Sequence, residues 1–364
     1  MKKLYLMLLF SVLCITVSAQ SDWRAILGAE FDVYFDNREY VDMRFGESQT
    51  IFGSRLTPYV GVGWNKNHSL MLGVDLRANF GNRTTTFERV LPQVYYQFKN
   101  EKVTTAFGIF SRKKLVGDYS EAIMSDSMKF HDNRIQGLLA QYRGARGDFE
   151  ISVDWCGMFS EQSREKFRIL SYGKYYFNKE NKHFFGGYQF MMFHFAGSKL
   201  IQHCVNDNLL IEPYIGTQFK AWADFDIQLH YLQTAQRDRD NDAKYRTPKG
   251  GLLKFRMSKI GIFLSEDLYF GENLQPYYRT YRSEDFPNGY GCELYSGDSF
   301  FGTNKNFYSA TKIGYERKFI SDVMHVKAYI SFRHDGTGFG TNQVVSLSIN
   351  LLKDISLQKK NRRY

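Results

Sequence analysis

The feature that most constrains this chain is an alternation of apolar and polar residues that returns in many strand-length segments. In Ala25–Phe35 the odd-numbered residues are all apolar, while Glu30 and Asp32 lie between them. Similar alternation occurs in the segments 70–80, 149–159, 324–333 and 345–351. Because successive side chains of a strand point to opposite faces, these segments predict strands with one apolar and one polar face. The chain is therefore expected to be all-β.

The alternation predicts sixteen strands. They are expected near residues 23–36, 53–64, 68–80, 89–98, 102–111, 134–143, 147–159, 165–177, 182–195, 208–220, 223–234, 249–257, 260–271, 306–318, 322–333 and 341–352. Short turns and longer segments alternate between them, as in the turn 65–67 and the segment 81–88. This alternation and the even strand count are typical of a closed antiparallel transmembrane β-barrel with short periplasmic turns and long extracellular loops. Fourteen strands is the alternative count, because boundaries are the least defined part of such a pattern.

The N-terminus has the three parts of a secretory signal peptide. Two lysines in Met1–Lys3 precede the apolar run Leu4–Val17, and small residues follow at Ser18 and Ala19. The run is shorter than the ~20 apolar residues that a spanning helix needs. The sequence thus predicts a cleaved signal peptide over 1–19, a transmembrane β-barrel over 20–352 and a basic periplasmic tail over 353–364.

The signal peptide, the alternating strands and the terminal apolar strand Val345–Leu351 resemble those of the porin-like outer-membrane β-barrels of Gram-negative bacteria, over essentially the whole mature chain. The resemblance implies the bacterial outer membrane, where strands can cross lipid only as a closed ring. One departure is that such barrels commonly end on an aromatic residue of the last strand. This chain instead continues as the basic segment Lys353–Tyr364.

A barrel of about sixteen strands is wide enough for an aqueous channel unless loops fill it. We therefore expect a passive or weakly selective channel for small hydrophilic solutes. The candidates for lumen-lining positions are Asp75, Arg77, Glu150, Asp154, Arg168, Lys254, Arg256, Lys327 and Arg333. Both signs of charge share these positions, and Asp154 is expected to pair with Arg168 across a hairpin.

The third outer connection, 112–133, is the candidate for a constriction loop inside the lumen. Its candidate residues are Asp118, Glu121, Asp126 and Lys129. The alternative is an ordinary extracellular loop without a transport role. The net charge of +10 would favour anionic solutes, but the acidic lumen candidates oppose this preference.

Two further function classes stay open. One is a structural or adhesive barrel with a plugged lumen. The other is a hydrolase at the outer rim, for which His334 with Asp335 is the first candidate and His131 with Asp132 the second, although Gly-rich segments such as 333–338 commonly form turns. Without a G-x-S-x-G motif or metal-ligand spacing, the chain is predicted not to be an enzyme and to hold no metal or cofactor. Scattered basic residues exclude nucleic acid as a partner. The expected partners are outer-membrane lipid, small solutes and, if the barrels associate, further copies of the chain.

Overall fold

The computed structural model describes residues 22–43, 48–82, 84–200, 205–240, 242–275, 297, 301 and 306–356. The predicted signal peptide and the tail beyond residue 356 lie outside these residues. The described chain forms one sheet of sixteen antiparallel strands that closes on itself. The predicted fold class and the count of sixteen strands are confirmed.

The strands are β1 Arg24–Val41, β2 Gln49–Trp64, β3 His68–Asn79, β4 Arg89–Lys99, β5 Val103–Ser111, β6 Arg134–Gly144, β7 Gly147–Gly157, β8 Lys166–Tyr176, β9 Phe184–Phe195, β10 Asn206–Lys220, β11 Asp224–Asp238, β12 Lys249–Lys259, β13 Ile262–Gly271, β14 Phe307–Phe319, β15 Met324–His334 and β16 Phe339–Ser356. Each strand pairs with its neighbours in sequence, and β1 pairs with β16 to close the ring. That closing pair has 18 residues in each strand and runs from Arg24 opposite Ser356 to Val41 opposite Phe339. The last strand therefore extends four residues past its predicted end at residue 352.

The two faces of the strands differ as the alternation predicts. On β1 the side chain of Leu27 points outward and is 44% exposed, whereas Ile26 and Asp32 point inward and are buried. Outward-facing Phe107 and Ile215 are more than half exposed. Because lipid surrounds this face, exposed apolar side chains form the band that a membrane barrel requires. No helix in the described part of the chain is long and apolar enough to cross a membrane.

The interior is more apolar than the sequence pattern suggests. Four clusters of buried apolar side chains lie inside the described part of the barrel. In one of them Ile123 and Met124, from the third outer connection, pack against Leu170 and Phe185 of the inner wall. The lumen is thus partly filled by a segment that begins and ends at the outer rim.

Candidate functional site

The third outer connection, residues 112–133, runs through the lumen and is called loop L3 below. It begins with the 3-10 turn Arg112–Lys114 directly after β5 and ends with the short helix α1, Asp126–His131. The side chain of Ser125 caps α1 by accepting a hydrogen bond from the Met128 amide. Between these two elements L3 crosses toward the far wall of the barrel.

The first contact of L3 with the wall is centred on Glu150 of β7. Its carboxylate accepts hydrogen bonds from the backbone amides of Val116 and Gly117 at 2.7 and 3.2 Å. The Tyr119 hydroxyl and the Gln141 amide donate to the same carboxylate at 3.0 and 2.6 Å. Glu150 is fully buried, and all four donors belong to neutral groups. Burial and the neighbouring Glu150 carboxylate raise the pKa of Tyr119, so its hydroxyl keeps the proton that it donates.

The second contact holds the far side of L3. The Ser120 hydroxyl donates to Glu212 of β10 at 2.6 Å, and the Ser120 amide donates to Gln189 at 2.7 Å. The other oxygen of Glu212 lies 2.7 Å from Nδ1 of His230. One residue later, Glu121 pairs with Lys312 of β14 and lies 3.7 Å from Arg333 of β15. L3 thus spans the lumen from β7 to β15.

The returning part of L3 is held by Asp126 and by the carbonyl of Phe130. Asp126 accepts hydrogen bonds from Lys327 at 3.0 Å and from the Tyr329 hydroxyl at 3.1 Å. Burial alone would raise the pKa of Asp126, but Lys327 and Lys129 hold it below its usual value. The Arg55 guanidinium of β2 donates to the Phe130 carbonyl. Of the predicted constriction residues, Glu121 and Asp126 therefore contact the wall, and Lys129 pairs with Asp126 at 3.2 Å.

Two buried carboxylates beside L3 each bind two arginines. Asp75 accepts from Arg55 at 2.6 Å and from Arg134 at 3.0 Å. Asp154 accepts from Arg112 at 2.7 Å and lies 3.9 Å from Arg168, so the predicted pair across the hairpin is present. Arg112 also pairs with Asp132 at 3.2 Å, so the charges around Asp154 balance, whereas the single carboxylate of Asp75 faces two arginines.

The remaining lumen candidates lie at other heights of the wall. Arg77 donates to the His131 carbonyl at 2.8 Å and pairs with Glu88 at 3.2 Å, near the outer end of β3. Arg256 pairs with Glu316 at 2.8 Å. Lys254, together with Lys129 and Lys174, lowers the pKa of Asp118 in L3, although burial opposes this shift.

Two cavities lie between L3 and the barrel wall, and β16, β1 and β2 contribute to the lining of both. The one nearer the outer side has a volume of about 610 Å³ and is lined by Asp32, Lys113, Asp118 and Lys327, among others. The one nearer the periplasmic turns has a volume of about 450 Å³ and includes Arg24, Lys99, Lys114 and Arg143 in its lining. Consecutive residues of L3, Lys113 and Lys114, therefore face different cavities.

Lys113 lines the cavity nearer the outer side and binds two acidic residues of the wall. Its ammonium donates to both oxygens of Asp32, at 2.5 and 2.7 Å, and lies 3.6 Å from Glu30. The Ser348 hydroxyl also donates to Asp32, at 2.6 Å. The sequence pattern did not single out Lys113 or Lys114. The only available signal was the basic run Arg112–Lys114 directly after a strand, which resembles an ordinary strand end.

Comparison with known proteins gives a family for the sequence and a fold class for the structure. The sequence matches the family model described as lipid A 3'-O-deacylase-type over residues 26–274. The chain belongs to this family. No curated protein sequence matches it. Among solved structures, OpdL of Pseudomonas aeruginosa is similar, with a TM-score of 0.52, 8% identity, and coverage of 92% of this chain and 99% of that chain. OpdO of the same organism has a TM-score of 0.51, 8% identity, and coverage of 91% and 97%.

The similarity to these solved structures is one of fold, and it confirms the predicted porin-like barrel. This fold and the apolar outer band of the barrel agree with the predicted place in a Gram-negative outer membrane. The description of its family names an enzyme, whereas the sequence pattern predicted none. The residues predicted to carry a hydrolytic step at the rim are His334 with Asp335 and His131 with Asp132.

The rim candidate His334 is the last residue of β15, directly before a turn. Its Nδ1 accepts a hydrogen bond from the Gly336 amide at 2.9 Å. Asp335 Oδ1 accepts from the Thr337 amide, the Thr337 hydroxyl and the Gly338 amide, at 3.0, 2.7 and 2.9 Å. The acid is thus bound to the turn backbone and does not orient the histidine, as a nucleophile–base pair would require.

The second candidate, His131, lies among arginines. Burial together with Arg77, Arg38 and Arg55 lowers its pKa to about 4. The residue is therefore a neutral imidazole at physiological pH but a weak base. Among the described residues, the hydrogen bonds that involve a histidine side chain reach Tyr96, Arg77, Gln228, Glu316 and Gly336, and none of these groups is a serine or threonine hydroxyl.

Proposed function

We propose that the protein is an outer-membrane channel for small hydrophilic solutes, and that L3 narrows its lumen. The observation that carries the proposal is the pair of cavities of about 610 and 450 Å³, the first lined by Lys113 and the second by Lys114 of L3. In this proposal the passage runs past L3 along β16, β1 and β2, which contribute to both cavities, and the Lys113–Asp32 pair narrows it. Selectivity is weak because both signs of charge meet at this point.

The test is single-channel conductance of the refolded protein in a planar bilayer, with wild type compared with Lys113→Met. Loss of the ammonium removes the pair with Asp32 and leaves Asp32 and Glu30 without this cation. We expect a larger conductance and a reversal potential shifted toward cations in a salt gradient. The control is Lys129→Met, because Lys129 is a lysine of the same loop that lines the same cavity but pairs with Asp126 of L3.

Two results would contradict this proposal, the first its channel and the second its narrowing by L3. The first is an absence of conductance steps from protein shown to be folded and inserted. The second is equal conductance and selectivity of wild type and Lys113→Met, which would place the passage elsewhere in the lumen.

A second candidate function follows from the family, which matches 26–274: removal of an ester-linked acyl chain from lipid A. The described rim offers two guanidinium groups that an anionic headgroup could contact, since Arg239 and Arg237 lie 2.8 and 3.3 Å from Asp207 on the outward face. The test is mass spectrometry of lipid A from cells that make the protein. This function would be supported if lipid A loses the mass of one acyl chain with wild type but not with a variant of His334 or His131. Lipid A of unchanged mass with wild type would rule it out.

A further inference from the structure

Glu266 is unusual because it points toward lipid. It lies on β13, where outward-facing residues alternate as Ile262, Leu264, Glu266, Leu268 and Phe270. Ile262 and Phe270 at the two ends of this row are 63% and 59% exposed. Among the described residues, Glu266 is the one acidic or basic side chain in the middle of the outward-facing apolar band. The other charged residues on this face lie near the ends of their strands.

One neighbour partly satisfies the Glu266 carboxyl group. The Thr311 hydroxyl of β14 donates to Glu266 Oε2, and the two residues are direct cross-strand partners. Their other cross-strand partners are apolar, since Phe255 of β12 lies opposite Glu266 and Phe332 of β15 lies opposite Thr311. The hydrocarbon core contains no water to satisfy the hydrogen-bonding groups of the carboxyl group that Thr311 leaves without a partner.

We propose that the β13–β14 surface around Glu266 and Thr311 is the contact between two copies of this chain. An acceptor and a donor on adjacent strands form a self-complementary pair. A two-fold axis along the membrane normal, passing between β13 and β14, sets Glu266 of one copy against Thr311 of the other, and the reverse. In its protonated form, which is the form that hydrocarbon favours, each carboxyl group then donates its own hydrogen to the Thr311 oxygen of the other copy while it accepts from Thr311 of its own copy. The surrounding Phe255, Ile313 and Phe332 pack against their symmetry equivalents.

A second copy suits this surface better than lipid for a physical reason. Acyl chains offer no hydrogen-bond donor, so a polar residue that faces them lowers stability unless another protein covers it. Ser309 of β14 lies two residues from Thr311 on the same face and supplies a further hydroxyl next to the axis. The proposal concerns association in the membrane and does not depend on whether the lumen conducts.

The experiment measures the mass of the full-length mature protein in detergent, by light scattering or native mass spectrometry, for wild type and Glu266→Leu. Wild type is expected to be a dimer. The leucine variant is expected to have a dissociation constant roughly tenfold higher or more, the equivalent of one to two lost hydrogen bonds. Thr105→Leu is the control, because Thr105 faces lipid on β5, eight strands away around the ring.

A second measurement tests whether the two-fold axis of the dimer passes between β13 and β14. In a chain whose Cys156, Cys204 and Cys292 are replaced by serine, Glu266→Cys and Thr311→Cys are made in separate copies and expressed together. A disulfide-linked dimer that forms in the membrane supports the two-fold contact, whereas pairing of either variant with Ile215→Cys is not expected. A monomeric wild type, a dimer of unchanged affinity for Glu266→Leu, or a different polypeptide that copurifies on this face would overturn the proposal.

Discussion

Replacement of Glu150 by glutamine should release the first half of L3 from the wall without unfolding the barrel. Four donors converge on the Glu150 carboxylate, from Val116, Gly117, Tyr119 and Gln141. Glutamine keeps one acceptor oxygen and turns an NH₂ group toward donors, so about two of the four hydrogen bonds are lost. At about 1.5–3 kcal/mol for each bond to a charged acceptor, the docking of L3 weakens by about 3–6 kcal/mol. The barrel should stay closed, because the hydrogen bonds between its strands do not involve this side chain.

Limited proteolysis of the folded protein measures this release. Trypsin cleaves after lysine and arginine, and L3 contains Arg112, Lys113, Lys114 and Lys129 inside the lumen. We expect wild type to resist cleavage in this loop and Glu150→Gln to be cut there, with more current fluctuation in a bilayer. Asp148→Asn is the control, since Asp148 lies on the same face of the same strand, nearer the periplasmic turn. Equal protection of L3 in Glu150→Gln and wild type would refute the assignment of Glu150 as its anchor.

Three further predictions concern single side chains. Asp75→Asn leaves buried Arg55 and Arg134 without their shared carboxylate, so the free energy of unfolding in a urea titration should fall by about 3–5 kcal/mol. His131 has a pKa lowered to about 4 in the docked loop by burial and by Arg77, against about 6.5 when free. Between these two pH values the undocked loop therefore binds more protons than the docked loop. Docking of L3 should be strongest above about pH 6.5 and weaken toward pH 4, and His131→Gln should remove this pH dependence of trypsin protection. Burial lowers the pKa of Lys114 to about 8, so the reversal potential should shift toward cations as the pH rises from 7 to 9, and Lys114→Gln should flatten this change.

The strands could be predicted from the sequence because their signal is local. Alternation with a period of two depends only on neighbouring residues, and the ring of lipid outside imposes it on every strand. The Asp154–Arg168 pair was also predictable, because the register of one hairpin sets these residues opposite each other. Strand ends were less certain: β16 continues through Lys353–Ser356, where charged residues interrupt the apolar pattern but the pairing with β1 persists.

The path of L3 could not be read from alternation. The charged composition of 112–133 suggested a loop, while its anchors are distant in sequence, as Glu121 and Lys312 show. Its apolar residues Ile123 and Met124 are fully or almost fully buried because they pack against side chains of the barrel wall that are distant in sequence. Lys113 was missed for the same reason, because its partners Glu30 and Asp32 precede it by about 80 residues and meet it only in the closed barrel.

The two candidate functions make separable demands on this molecule. A channel depends on a path past L3, whose anchors Glu150, Glu212 and Asp126 all lie within the barrel. An acyl hydrolase depends on groups at the outer rim that lipid A can reach, and there the described His334 and Asp335 are engaged in a turn. Lys113 and His334 do not share a hydrogen-bond network. Lys113→Met should therefore change the conductance but leave the acyl-chain content of lipid A as it is with wild type. His334→Ala should affect only the removal of an acyl chain from lipid A, so this pair of variants tests the two functions independently.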